Sequence, residues 1–250
     1  HEIRTPMSLI ISPLQQLMAK DKDAECRKLY STIQRNAERI LQLVNQLMDI
    51  RKIDKGQMSL MFKKAEIVSF TRDLLETFEQ QTRVKKLDLK FHTSAPEIEM
   101  WIDPKNFDKI ILNLLSNACK FTPENGQVEI SLSTGEDTHL PQNAPLRRYV
   151  ELTVADSGIG IASTEREHIF ERFYQIRNSQ NNSNIGTGIG LHLTRSLVEL
   201  HYGNIHVEDN GEGRPGSRFI IRLPLGNGHL KKEEIEEATT ADTLINIPAA

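Results

Sequence analysis

Cysteine is scarce: Cys26 and Cys119 are the two in 250 residues. They lie far apart inside apolar patterns, which excludes a disulfide framework or a thiolate metal site and fits a reducing compartment. No apolar run approaches the roughly 18 residues of a membrane span, so this stretch reads as soluble. Neither charge dominates, since 31 Lys+Arg against 34 Asp+Glu leave a formal −3. Without a basic stripe to neutralise duplex phosphates, nucleic acid is not an expected partner. The chain starts at His1 with no charged-then-apolar leader, as an excised piece of something longer would. What is present is ordinary globular composition, 38% hydrophobic and 26% charged with 14 Gly and 10 Pro. That suffices to bury a core in one large or two modest domains.

From Ile3 the apolar residues Met7, Ile10, Leu14 and Leu17 recur at threes and fours, and a second series runs Leu29, Ile33, Ile40, Leu43, Val44, Leu47 and Ile50. Both spacings predict long amphipathic helices, and the polar residues Lys20 to Asp23 between them make a turn, giving a helical hairpin. Ile33, Ile40 and Leu47 repeat every seven residues, with Leu43 and Ile50 three positions on. Two helices cannot cover so wide a stripe, whereas two hairpins can, so a homodimeric four-helix bundle is expected; the alternative is that the hairpin packs on its own second domain. Pro6 and Pro13 predict a bend in the first helix near His1.

After Asp54 the period changes. Alternation predicts strands over 59–62, 87–92, 99–102, 127–133, 149–155, 204–208 and 218–223, and helices over 67–83, 105–121, 163–175 and 191–200. The class is therefore α+β: a helical hairpin followed by an α/β sandwich. Residues 1–56 are expected to form the hairpin, 57–228 the sandwich, and 229–250 a linker or tail without usable pattern.

On the helix over 105–121, Asn106, Lys109, Asn113, Ser116, Asn117 and Lys120 share one side, while Ile111, Leu114, Leu115 and Ala118 share the other. A plain solvent face would be rich in Glu and Lys. Here two amides a turn apart, with Lys120 beside them, offer oxygens to a hard cation and donors to phosphate; an ordinary wet face is the competing reading. Two glycine passages follow, Asp156-Ser157-Gly158-Ile159-Gly160 after a strand and Gly186-Thr187-Gly188-Ile189-Gly190 before a helix. The second lets backbone amides approach a phosphate at a helix start, although a bare turn needs glycine too. In the first, Asp156 could accept from an exocyclic amine, or simply form a turn. Residues 178–184 are all uncharged and polar, with the layout of a lid or of a long surface loop. His1 is followed by Glu2, a nucleophile beside a proton acceptor, and Thr5 lies one helical turn on.

Together the runs HEIRTP, NLLSNACKFTP, DSGIGI, IFERFYQ, GTGIGL and GSRFIIRLPL, in this order and spacing, closely resemble the catalytic core of sensor histidine kinases of two-component systems. The resemblance covers nearly the whole chain. It implies a dimeric phosphoacceptor hairpin and an ATP-binding sandwich of the kind shared with gyrase, the mismatch-repair ATPases and the heat-shock chaperone ATPase. Carried over, His1 would be phosphorylated, Glu2 would be its general base, and Thr5 would position water when a partner is dephosphorylated. Asn113 and Asn117 would hold Mg²⁺ and the phosphates, with Lys120 as a cation beside them. Phe121, Asp156, Gly158 and Gly160 would form the adenine pocket. Gly186, Thr187, Gly188, Gly190 and Leu191 would make the phosphate cradle, and Phe170 and Phe173 the base of the lid.

The resemblance further implies ATP and Mg²⁺ as ligands and phosphorelay from His1 to an aspartate of a receiver domain, with phosphatase activity as an accompaniment. It places the chain in the cytoplasmic portion of a membrane-anchored receptor, downstream of a sensor domain. One departure stands out: many members carry a basic residue where this chain has Gln175, which leaves Arg172 and Arg177 as the nearest guanidinium groups. Two other readings compete, a nucleotide-regulated module that transfers nothing and an ATPase of the chaperone class. The second leaves His1-Glu2 on a dimerising hairpin without a purpose.

Overall fold

The computed structural model describes residues 4–21, 23–176, 187–211 and 213–236. They divide into two compact units, one taking the chain up to Met58 together with His168–Ser196, the other taking the remainder. In the first, α1 (Arg4–Lys20) and α2 (Ala24–Asp54) pack as a hairpin. The turn between them is stitched by two acids. The Asp23 carboxylate caps α2 by accepting the Glu25 amide at 2.8 Å, and Asp21 accepts both the Asp23 amide at 2.9 Å and the Tyr30 hydroxyl at 3.0 Å. Pro6 falls in the first turn of α1, where its missing amide costs little, and Pro13 lies inside the helix without ending it. The expected bend near His1 lies outside the described residues.

Met7, Leu14, Ala37 and Ile50 are buried in this unit, but much of the heptad stripe stays open. Leu29 is 63% exposed, Ile33 49%, Ile40 47% and Leu47 43%, with Leu9, Ile10 and Leu17 of α1 likewise exposed. An apolar seam of this length left facing solvent is unusual for a finished surface. Among the described residues, no helix is long and apolar enough to cross a membrane.

The second unit holds a five-stranded sheet in the order β2-β4-β5-β7-β6, formed by Asp88–Thr93, Gln127–Glu136, Arg148–Asp156, Ser217–Pro224 and Asn204–Asp209. β2 pairs parallel with β4 and every other neighbour is antiparallel. β1 (Lys63–Glu66) and β3 (Glu99–Ile102) form a separate antiparallel two-stranded ribbon. The alternation Val128, Ile130, Leu132 on β4 and Val150, Leu152, Val154 on β5 buries one face of the sheet, and α5 (Pro104–Phe121) packs on β5. α3 (Ile67–Glu76) lies against α5 in turn.

Three expectations are corrected. The helix over 67–83 is two helices, α3 and α4 (Glu79–Lys85), because the backbone tightens between them: the Thr77 amide donates to the Leu74 carbonyl at 3.2 Å and the Phe78 amide to the Leu75 carbonyl at 2.9 Å, three residues back instead of four. The strand over 59–62 is absent; pairing begins at Lys63, and Phe62 makes only a parallel bridge to Ile235. The helix over 163–175 is replaced by two short 3-10 turns at Ser163–Glu165 and His168–Phe170. Phe173 is left-handed at φ 63°, and its amide bonds the Gly188 carbonyl at 2.9 Å instead of continuing a helix. Within the stretch expected to be tail, residues 229–236 are held in place. The Phe62 amide donates to the Glu234 carbonyl at 2.6 Å, the Glu236 amide to the Phe62 carbonyl at 2.8 Å, and the Tyr202 hydroxyl to the Glu234 carboxylate at 2.9 Å.

Glu66 links the ribbon to α3. Its carboxylate accepts the amides of Val68 at 2.8 Å, Ser69 at 2.6 Å and Ile98 at 3.0 Å. Burial works against ionisation, but these amides outweigh it and hold the carboxyl at about 2, below its ordinary 4.5. A depressed acid stabilises the fold above its unfolded value, and that contribution is lost as pH falls from about 4.5 towards about 2. Glu66→Gln is therefore expected to cost about 1 to 2 kcal/mol in urea unfolding at pH 7. The gap to wild type should narrow as the pH is lowered to around 3.

Candidate functional site

α5 sorts its residues cleanly. Asp103 caps it by accepting the Asn106 amide at 3.1 Å, and Pro104 occupies the first turn, where no amide is required. Phe107, Ile110, Ile111, Leu114, Leu115, Ala118 and Cys119 are buried, at the spacing of one helical stripe. Asn113, Asn117 and Lys120 fall outside that stripe and are half-buried, while Phe121 at the helix end is 40% exposed. The Lys120 ammonium lies 4.7 Å from the Phe121 ring centroid, a cation–π contact that holds a charge beside a flat apolar surface.

The same alternation that buries β5 delivers Asp156. Val150, Leu152 and Val154 point to the core, so the next in-phase side chain does too, and Asp156 is 6% exposed. Its register partner on β7 is Ser217, whose hydroxyl donates to Asp156 Oδ2 at 2.6 Å, and the Gly158 amide donates to Oδ1 at 2.8 Å. Burial pushes this carboxyl above its ordinary value, and the bonds from Ser217 and Gly158 oppose the rise. The Ser217 amide also bonds this carboxylate, so three of its roughly four acceptor positions are taken and about one is left for a further donor. The wall behind is tight: a Cβ on Gly158 would lie 2.6 Å from both the Phe121 carbonyl oxygen and Asp156 Oδ1. Gly160 lies two residues on, at φ 72°. Asp156, Gly158 and the end of α5 are thus one contiguous surface.

In the other unit, the glycine passage leads into α6 (Gly190–Leu200). Gly188 is left-handed at φ 69°, and a Cβ there would meet the Phe173 carbonyl carbon at 2.5 Å, so only glycine fits. The Thr187 hydroxyl accepts the Ile189 amide at 3.3 Å, Gly190 opens the helix, and Leu191 follows half-buried. Phe170 is buried beneath the Arg195 guanidinium at 4.1 Å, whereas Phe173 is 64% exposed. Arg172 makes a two-pronged ion pair with Asp54 and donates from Nε to His192 Nε2 at 2.9 Å. His192 Nδ1 lies 3.0 Å from the Phe170 carbonyl, which can only accept, so Nδ1 is the donor of that contact.

Thr5 is exposed on α1, while His1, Glu2 and Gly186 lie outside the described residues, as do Arg177 and residues 178–184. Sequence reasoning assigned no part to Ser217, although it sits in the run GSRFIIRLPL, because a serine opening a strand carries no signal without its register. His192 and the pairing of Asp54 with Arg172 carry no sequence signal either, since the partners are distant in sequence. Among the described residues no group of three or more His, Cys, Asp or Glu could hold a metal ion. The candidate oxygens are the amides of Asn113 and Asn117, a set that fits a cation completing its shell with substrate phosphates and water.

A helical hairpin followed by a mixed sheet that buries an aspartate beside an asparagine-bearing helix is the layout of a two-domain ATPase. Residues 102–227 match the family described as histidine kinase-, DNA gyrase B-, and HSP90-like ATPase, and residues 1–56 match the His Kinase A (phospho-acceptor) domain. The chain belongs to the histidine kinases of two-component systems.

It is 38% identical to the sensor histidine kinase TmoS of Ectopseudomonas mendocina, over 90% of this chain and 22% of that protein. It is 34% identical to hybrid signal transduction histidine kinase D of Dictyostelium discoideum, over 97% of this chain and 15% of that protein. The chain thus spans less than a quarter of these relatives. Among solved structures, full-length ShkA in complex with AMPPNP superposes with a TM-score of 0.72 at 26% identity, over 90% of this chain and 44% of that one. The nucleotide-free catalytic domain of ThkA gives 0.54 at 25%, over 66% of this chain and 99% of that one.

The contact at Gly158 yields a direct expectation. Gly158→Ala forces its methyl against the Phe121 backbone, which cannot rotate away as a side chain tip could. A loss of about 1 to 3 kcal/mol in denaturant unfolding is expected.

Proposed function

We propose that this chain uses ATP to phosphorylate His1 and hands the phosphoryl group to an aspartate of a receiver domain. The observation that carries the reading is that one chain combines a match to the phosphoacceptor hairpin, over 1–56, with a match to the ATPase domain, over 102–227. The bound AMPPNP of the ShkA structure supports ATP as the donor. Asp156 would accept the adenine amino group through a free lone pair, against the wall made by Phe121 and Gly158, with Gly160 shaping the pocket. Asn113, Asn117 and Lys120 would take the phosphates, and Gly186, Thr187, Gly188, Gly190 and Leu191 would cradle them where α6 begins. Phe170 and Phe173 would anchor the lid.

Mg²⁺ on the amides of Asn113 and Asn117 would neutralise phosphate charge. The His1 imidazole nitrogen attacks the γ-phosphorus, the bond to the β–γ bridging oxygen breaks, ADP leaves, and the imidazole proton passes to Glu2. In the second transfer the N–P bond breaks as the receiver carboxylate bonds phosphorus. Alignment and charge are what this reaction asks of a protein. Thr5 would orient water for removing phosphate from the receiver.

The open apolar stripe from Leu29 to Leu47 supports a homodimer through the hairpin. The likeness to sensor kinases supports an upstream sensor domain and a cytoplasmic placement on a membrane-anchored receptor. The domain limits proposed are 1–56 for the phosphoacceptor hairpin, 57–228 for the catalytic domain and 229–250 for a linker or tail.

His1→Gln should abolish acid-labile, base-stable labelling from γ-labelled ATP while nucleotide affinity stays within about twofold; a label that persists defeats the assignment. Asn117→Ala should remove the Mg²⁺-dependent part of ATP binding in calorimetric titration. Unchanged affinity in Mg²⁺ would place the metal elsewhere.

A further inference from the structure

We propose that Lys85 is a positioning residue for the nucleotide site, acting through the C-terminal end of α5 without touching the ligand. The inference rests on the reading that the asparagine face of α5 and the Asp156 pocket bind ATP. Lys85 is the last residue of α4, on a different element from any proposed ligand contact. Its ammonium donates to the carbonyl oxygens of Cys119 at 2.8 Å, Lys120 at 3.1 Å and Thr122 at 3.2 Å. An ammonium has three N–H donors, and all three go to this one helix end.

Two consequences follow from that geometry. The three carbonyls bracket Phe121, whose own carbonyl oxygen stands where it would crowd any side chain on Gly158. Gly158 in turn holds Asp156 Oδ1 through its amide. Lys85 therefore pins, in sequence, the end of α5, the Phe121 wall and the turn that orients the Asp156 carboxylate. The second consequence is electrostatic. The last carbonyls of a helix lack internal partners and carry its negative pole. On α5 that pole lies beside Asn117 and Lys120, where anionic phosphates are to be received, and a cation on the carbonyls offsets the repulsion. The backbone adds a further tie, since the Asn125 amide donates to the Lys85 carbonyl at 3.3 Å and so fastens the loop leaving α5 to the same residue.

Lys85→Met, Lys85→Gln and Lys85→Arg in the full 250-residue chain separate the cases. Titration calorimetry with ATP and with GTP in Mg²⁺ supplies the affinities, and thermal unfolding supplies the stabilities. Lys85→Met should weaken ATP about tenfold and narrow the preference for ATP over GTP, because the base-recognising wall is what loosens. Lys85→Arg, which keeps charge and donors, should return ATP affinity to within about threefold of wild type. Glu66→Gln, a destabilising change on the ribbon, serves as control and should leave the ATP to GTP ratio unaltered. Should Lys85→Met fail to fold, Lys85→Gln, with two donors and no charge, should show the same direction of change.

ATP affinity and base preference within about twofold of wild type in the neutral variant would overturn the proposal. So would a loss that Lys85→Arg does not relieve. A wild-type chain that binds no ATP would instead refute the nucleotide reading itself, a result distinct from a wild type that binds and a variant that binds equally.

Discussion

Seven side chains of α5, from Phe107 to Cys119, are buried on one stripe, and the sheet behind them is itself closed by the alternation of β4 and β5. Burying a large aliphatic or aromatic side chain yields about 1.5 to 3 kcal/mol each, so this interface outweighs any single polar contact in the domain. Its rotation about the helix axis cannot change without exposing several of them. Asn113, Asn117 and Lys120 are consequently fixed in direction by residues that have no chemistry of their own. The polar surface of α5 is the remainder left by the packing, and its composition decides what it can hold.

The two ends of this helix are tied by different means. At the start Asp103 caps the helix, accepts the Met61 amide at 3.0 Å, and has its own amide bonded to His201 Nε2 at 3.3 Å. His201 is 2% exposed, donates from Nδ1 to the Leu197 carbonyl at 2.7 Å, and packs edge-on against Phe62. Burial pushes its basicity down, as a ring that must both donate and accept requires. At the far end Lys85 takes the corresponding place. A rigid helix with both termini occupied can present amides to a ligand without reorganising them, which is the condition for electrostatic work on a phosphoryl group.

The helix over 105–121 was legible because a residue pattern at 3.6 spacing is local, and its boundary moved by only one position, to Pro104. Asp156 was legible as a residue beside glycines. Its burial followed only from the phase of β5, and its partner Ser217 only from the pairing of β5 with β7. The split at Thr77 and the collapse of the helix over 163–175 were illegible for a related reason. The first turns on the Thr77 and Phe78 amides taking carbonyls three residues back, the second on Phe173 exchanging its helical bond for one to Gly188. Lys85 carried no signal at all, since a lysine at a helix end is ordinary until its three carbonyl partners, 34 to 37 residues away, are known.

The bridge between Phe62 and Ile235 sets two leads of the chain side by side and in the same direction, one entering the sandwich and one departing it. Tension drawing these leads apart along their length loads the paired hydrogen bonds in shear, so that they share the force instead of yielding one by one. A pull on these two leads would thus be borne at this clasp before it reached the sheet.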